Sequence, residues 1–258
     1  METVTLGMAI SDAAPPLLYL AASFFTVRFM RLMGERELSG MFMAGSLLAF
    51  LSGAFKVSAK IGDALARRPV TEAGFLYDQM FPMMAVGFLA TAAAVVLGAR
   101  RFSGRDRRGE RTRFAETASW VSPFAAGVFL GLAFALVMAV NGPAPGLKAH
   151  FLELKRYSML AMVLLQLSTM GILAWFSFRE RATAAGVLSI ASIAAMLLMG
   201  MLASPSTQAR FENRILMNWI DQAVNMTAQA AFLGAAIIVW DRVRKGAVEG
   251  VGKERRVA

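Results

Sequence analysis

The sequence has no cysteine and only one histidine, His150. The lack of cysteine excludes disulfides, thiolate metal sites and cysteine nucleophiles. A single histidine also excludes bis-histidine haem ligation and histidine-rich metal centres. No Ser–His–Asp set, phosphate-binding Walker loop or zinc motif is present either. We therefore expect neither an enzyme nor a resident cofactor or metal.

Charge is also scarce, since only 17% of the 258 residues are charged whereas 57% are hydrophobic, with a mean hydropathy of +0.55. A run of about 20 apolar residues is enough to cross a bilayer as a helix. The sequence predicts an all-α membrane protein with seven transmembrane helices and no soluble domain. The predicted segments one to seven are residues 16–33, 38–59, 74–99, 119–140, 157–178, 182–203 and 214–242.

The charge that is present is mainly basic, with a net charge of +10. Alternate loops carry about twice as many basic residues as the others, which predicts an outside amino terminus and a cytoplasmic carboxyl terminus in a cell (plasma or inner) membrane. This topology signal explains the charge better than nucleic-acid binding does. Residues 100–113, with seven arginines, predict a solvated loop that could contact anionic lipids. Residues 241–258 predict a basic, disordered tail.

An internal repeat is indicated by segments three and seven. Asp78-Gln79 aligns with Asp221-Gln222, and seven of nineteen positions from there onward are identical. Two parallel three-helix bundles joined by helix four are therefore predicted. The predicted regions are an outer amino terminus (1–15), bundle one (16–101), a basic loop, linker helix and outer loop (102–156), bundle two (157–241) and a cytoplasmic tail (242–258).

The candidate site is a polar stripe in the outer half of segment seven. Asn218, Gln222, Asn225 and Gln229 recur at helical spacing, and Asp221 adjoins them. An intramembrane carboxylate is costly when it faces lipid, so it should face the interior. Two carboxylates converging there would tend to share a proton, which suits proton or cation coupling. The predicted site comprises Asp78, Gln79, Asn218, Asp221, Gln222, Asn225 and Gln229; amides that only join helices are the alternative.

This layout resembles the three-plus-one-plus-three plan of the SWEET and PQ-loop transporters, related vitamin transporters and microbial rhodopsins. The resemblance covers about residues 16–242 and is architectural, since the chain has no Pro-Gln pair. Asp78 and Asp221 look like the aspartates that face each other on rhodopsin helices three and seven. The retinal-bearing lysine would fall at Asn225, so a retinal Schiff base is impossible here.

The sequence favours a small-solute transporter or a proton/cation pathway between segments three and seven. The alternative is a non-catalytic membrane subunit, or an opsin-like sensor without a retinal Schiff base, whose polar stripe binds a partner helix or a pigment. The lipid bilayer is the expected surrounding. A membrane protein partner or a second copy of the chain is compatible with either function.

Overall fold

Helices make up the regular structure of the part of the chain that the structure describes. The computed structural model describes residues 5–66, 75–108, 145–202, 207 and 214–257, and no strand occurs among them. The helices are α1 (Leu6–Ser11), α2 (Ala14–Leu32), α3 (Arg36–Leu65), α4 (Phe75–Arg108), α5 (Pro145–Arg179), α6 (Thr183–Leu202) and α7 (Arg214–Val257).

Six helices in the described part of the chain are long and apolar enough to cross a membrane. They are α2, extended by α1, and α3 to α7, and they correspond to predicted segments one, two, three, five, six and seven. The all-helical membrane class predicted from the sequence is confirmed. Segment four, residues 119–140, lies outside the described residues, so the count of seven spans stays a prediction.

Several helices extend beyond the boundaries that the sequence predicted. The basic stretch after segment three is helical as far as Arg108 and the carboxyl-terminal tail as far as Val257, so the predictions of a loop and of a disordered tail were wrong there. Arginine and lysine are good helix formers, and their positive charge is favourable near the carboxyl end of a helix. Helix α5 likewise begins at Pro145 and includes His150.

Residues 5–15 belong to the helical bundle instead of preceding it. Helix α1 is capped by Thr5, whose side chain accepts a hydrogen bond from the Met8 amide, and it packs against α3. Pro15 lies in the first turn of α2, where the missing amide proton is not needed. The first candidate span therefore runs from Leu6 to Leu32, which is earlier than the predicted start at residue 16.

The six long helices form a closed ring. Each packs against the helix before it and the helix after it, and α7 packs against α2 to complete the ring. Helices α4 and α7 are therefore opposite each other and not neighbours. The hydrophobic core lies inside this ring, and large apolar side chains cover its outer surface, as expected for contact with lipid. Examples of the latter are Leu47, Leu51, Leu89, Leu97, Leu164, Val187, Ile190 and Leu197.

The two short turns in the ring have the same hydrogen-bond pattern. After α2, the Glu35 amide donates to Met30 O at 3.0 Å; after α5, the Ala182 amide donates to Ser177 O at 2.8 Å. Each turn also contains one residue with positive φ, Gly34 at 84° and Arg181 at 56°. This is the Schellman geometry that ends a helix and reverses the chain. Both turns thus bring the following helix back along the preceding one.

Candidate functional site

A buried ion pair lies at the end of the ring where α1 packs. Lys60 of α3 contacts the carboxylate of Asp12 through its Nζ, and both side chains are about 95% buried. Lys56, one turn earlier, approaches the same Asp12 oxygen at 4.0 Å and is more exposed. Two charges in a low-dielectric interior are tolerated because each compensates the other.

Gln222 connects this end of the ring to α7. Its Oε1 accepts a hydrogen bond from Ser11 Oγ at 2.5 Å, and its Nε2 donates to Met8 O at 3.3 Å. The side chain is buried, and both bonds join it to α1. Gln222 therefore fixes α1 against α7, which is the helix-joining role that the sequence left open.

The other polar residues of α7 run along the helix from Gln222. Asn218, Asp221 and Asn225 are half-buried, whereas Gln229 is buried. Gln229 Nε2 donates to Asn225 Oδ1 at 3.4 Å, one turn away on the same helix. One carboxylate oxygen of Asp221, Oδ1, is fully buried. The polar stripe predicted from the sequence is therefore partly buried, and Gln222 and Gln229 are its most buried residues.

The partner half of the predicted site is on α4. Asp78 and Gln79 occupy the first turns of that helix, and their side chains lie outside those that the structure describes. The pairing of Asp78 with Asp221 accordingly stays a prediction. The ring does place α4 opposite α7, so inward side chains on these two helices would face each other across its centre.

Tyr19 of α2 occupies the centre of the ring. Its ring lies 5.5 Å from that of Phe88 on α4 and 6.0 Å from that of Phe232 on α7, measured between centroids. Its hydroxyl lies 3.5 Å from Ser46 Oγ on α3, with Thr91 and Ser23 as further polar neighbours. Tyr19 therefore joins the two opposite helices through its ring and places a polar atom among hydroxyls.

A second buried acid lies at the opposite end of the ring from Asp12. Glu35, in the turn after α2, accepts a hydrogen bond at Oε2 from Arg101 Nη1 of α4, at 3.0 Å. The carboxylate is buried, whereas the arginine side chain is 35% exposed. Together with Asp12 and Lys60, this pair puts ionisable groups at both ends of the ring interior.

Sequence reasoning missed the roles of Asp12, Lys60, Tyr19 and the Glu35–Arg101 pair. No role was assigned to Asp12 or to the lysines of segment two from the sequence. A usable signal was present, since Lys56 and Lys60 are one helical turn apart inside a span-length apolar helix. Their common partner Asp12 lies more than forty residues earlier, and only the packing of α1 identifies it.

The helical ring and its buried polar groups define a multi-pass α-helical membrane protein. No family model, curated protein sequence or solved structure matches this chain.

Proposed function

We propose that this chain is a small-solute transporter or a proton/cation pathway, not an enzyme, and that its site lies between α4 and α7. The site comprises the residues that the sequence singled out, namely Asp78, Gln79, Asn218, Asp221, Gln222, Asn225 and Gln229. The closed ring supports this function because it separates an interior that contains polar groups from an outer surface suited to lipid.

Gln229 carries the proposal. It is 8% exposed, its amide donates to Asn225, and its Oε1 is buried with no hydrogen-bond partner in the described part of the chain. A buried acceptor without a partner costs about 1–3 kcal/mol. A water molecule or a polar solute inside the ring would satisfy this oxygen, which is the arrangement expected along a transport pathway.

The buried hydroxyl groups differ from this amide. Most of them bond to a carbonyl in the preceding turn of their own helix, as Thr26 does to Ala22 O and Thr91 does to Phe88 O. Such hydroxyls are satisfied locally and fit close helix packing without any transport role. The amides of α7 are therefore the stronger indication of a pathway.

A parallel repeat is part of the proposal, with bundles 16–101 and 157–241 joined by a spanning helix four. The packing contacts of the two bundles support it. The contact of α2 with α3 corresponds to that of α5 with α6, and the contact of α3 with α4 corresponds to that of α6 with α7. Between the bundles, the contact of α4 with α5 corresponds to that of α7 with α2. The equivalent Schellman turns after α2 and α5 support the same correspondence. The basic-residue bias supports a cell membrane with the amino terminus outside.

Flux in proteoliposomes tests the function. The full chain is reconstituted and assayed with a pH-sensitive dye, monovalent cations and a panel of small polar solutes. We expect flux of at least one of these, and we expect Asp221→Asn to reduce it at least about tenfold because the charge that couples to a proton or cation is lost.

Asp241→Asn is the matched control, because Asp241 lies on the same helix but pairs with Arg244 and Lys245 near the other end of the span. It should leave the flux unchanged. No flux with any solute, or equal flux in the parent and Asp221→Asn, would contradict the proposal. Visible absorbance of the purified protein, or a chain that copurifies in constant ratio, would favour the pigment-binding or subunit alternative.

A further inference from the structure

Where α2 packs against α7 to close the ring, two arginines lie beside the same indole ring. Arg28 Cζ of α2 is 5.7 Å from the centroid of the Trp240 ring on α7, and Arg244 Cζ is 4.8 Å from the same centroid, both within the range of cation–π attraction. Phe25 of α2 packs against Trp240 with the ring centroids 5.4 Å apart, which holds the indole at the contact between the two helices. We refer to Arg28, Trp240 and Arg244 as the arginine–tryptophan cluster.

This cluster is on the outer surface of the ring, and its charge is positive. Arg28 and Arg244 are exposed, and no acidic side chain in the described part of the chain forms an ion pair with Arg28. Arg244 shares its partner Asp241 with Lys245, so three basic side chains are matched by a single carboxylate. Two guanidinium groups beside one ring repel each other, and an anion between them would replace that repulsion by attraction.

The position of the cluster along the two helices fits the headgroup region of a bilayer. Arg28 lies within the last two turns of the first candidate span, and Trp240 lies within the last two turns of the last one. Arginine and tryptophan suit this depth because each has an apolar part and a polar end. About one turn deeper, Phe24 on α2 and Ile237 on α7 are exposed. A lipid whose phosphate meets the arginines would therefore have its acyl chains against Phe24 and Ile237.

We propose that the arginine–tryptophan cluster binds the headgroup of an anionic phospholipid from the surrounding bilayer. The phosphate lies between Arg28 and Arg244, since a guanidinium can donate two parallel hydrogen bonds to a phosphate. The indole of Trp240 keeps the two guanidinium groups near each other. This site is separate from the basic residues 100–113, and it goes beyond the proposed transport function, because lipid binding there does not depend on flux or on the polar stripe of α7.

Quenching of Trp240 fluorescence by brominated phospholipids tests the proposal. Trp120→Phe, Trp175→Phe and Trp219→Phe leave Trp240 as the only tryptophan of the full chain. This chain is reconstituted in mixtures of phosphatidylcholine and phosphatidylglycerol, with bromine on the acyl chains of one lipid or of the other. Bromine quenches at short range, so the two series give the relative affinity of the two lipids beside Trp240. We expect a preference for phosphatidylglycerol of at least about tenfold, because each basic residue near an anionic lipid contributes about fivefold.

Substitutions in the same single-tryptophan chain assign the preference to this cluster. Arg28→Gln and Arg244→Gln should each lower it about fivefold, and the double variant should show almost none. Arg31→Gln is the matched control, because Arg31 is also an exposed arginine of α2 but its Nε donates to Ser39 Oγ of α3 at 3.4 Å. Arg31 therefore points to the other neighbour of α2, and its replacement should leave the preference nearly unchanged.

Equal quenching of Trp240 by the two lipids would overturn the proposal, and this measurement needs no change in the cluster. Equal losses in Arg28→Gln and Arg31→Gln would overturn it too, because they would indicate general surface charge. No quenching by either lipid would mean that a second copy of the chain or another protein covers Trp240. Loss of the preference in millimolar inorganic phosphate would identify a free anion as the ligand, and either result excludes the lipid. None of these outcomes depends on flux, so the lipid site and the transport function can fail independently.

Discussion

At the scale of single residues, Asp12 and Lys60 form an ion pair in which both side chains are buried. Lys60 is 3% exposed and Asp12 is 7% exposed, so neither charge is solvated. Removing one member of a buried pair leaves an uncompensated charge and destabilises the protein, whereas replacing both members can leave its stability nearly unchanged. The pair therefore ties the start of the chain to α3.

We predict that Lys60→Met lowers the free energy of unfolding by about 3–5 kcal/mol, because the Asp12 carboxylate is left buried without its closest cation. The double variant Asp12→Asn with Lys60→Met should recover most of that loss. Denaturant unfolding in micelles, followed by circular dichroism, measures both. Lys56→Met is the control and should cost much less, since Lys56 Nζ is 4.0 Å from Asp12 and its side chain is 37% exposed. Equal losses of unfolding free energy in Lys60→Met and Lys56→Met would show that the close contact of Lys60 with Asp12 contributes no more to stability than the distant one of Lys56.

At the scale of helices, the backbones of α3 and α4 come into direct contact at Gly45 and Gly87. A Cβ atom on Gly45 would lie 2.5 Å from Gly87 O, and one on Gly87 would lie 2.6 Å from Gly45 O. Such distances are possible only because both residues lack a side chain, and they let the two backbones pack directly as in other membrane helix pairs. Ser46 follows Gly45 in the chain, and its hydroxyl lies 3.5 Å from that of Tyr19.

We predict that Gly45→Leu separates α3 from α4 and lowers the free energy of unfolding by at least about 2 kcal/mol, as overpacking of a close contact does. The melting temperature of the purified protein, measured by intrinsic tryptophan fluorescence, reports this loss. Gly171→Ala is the matched control, because a Cβ atom at that glycine of α5 meets nothing within 4 Å. It should be neutral or slightly stabilising, since alanine is the better helix former. Similar melting temperatures for Gly45→Leu and Gly171→Ala would contradict the close approach.

At the scale of the whole molecule, topology distinguishes seven spans from six. If residues 119–140 cross the membrane, the two ends of the chain lie on opposite sides; if they do not, the ends lie on the same side. The parallel repeat requires the crossing, because α2 and α5 can have the same direction only when another span connects the two bundles.

We predict opposite sides, with the amino terminus outside, from the distribution of basic residues. The chain has no native cysteine, so single cysteines at Thr5 and Ala258 can be labelled with a membrane-impermeant maleimide. In intact cells only the Thr5→Cys variant should react, and Ala258→Cys should react after permeabilisation. Labelling of both variants in intact cells, or of neither, would exclude seven spans and the parallel repeat together.

Much of the architecture was predictable from hydropathy. Spans such as α6, Thr183–Leu202, were located to within a residue or two because a long apolar run has to be helical in lipid. Helix ends in polar sequence were less predictable. Helix α4 continues to Arg108 and α7 to Val257, well beyond their apolar parts. In such polar sequence the helix end depends on helix propensity, and hydropathy does not indicate where it lies.

The candidate site was predictable only in part. The spacing of the polar residues on one face of α7 is visible in the sequence, because it is a property of a single helix. Their burial was not visible, since Gln222 and Gln229 are buried whereas Asn218 and Asn225 are half-buried. The contact of Gln222 with Ser11 and Met8 was not visible, since these residues are more than two hundred positions apart. The identity of a hydrogen-bond partner depends on which helices are neighbours.

The sequence by itself determined that this protein is helical and membrane-embedded, because lipid leaves an apolar chain no other way to satisfy its backbone polar groups. It also determined which face of α7 carries amides, because helical spacing is a local property. Only the tertiary structure decided that α7 closes the ring against α2, that Asp12 meets Lys60, and that Glu35 pairs with Arg101. These contacts arise from packing between helices far apart in the chain, for which apolar sequences carry little specific information since many apolar surfaces pack equally well.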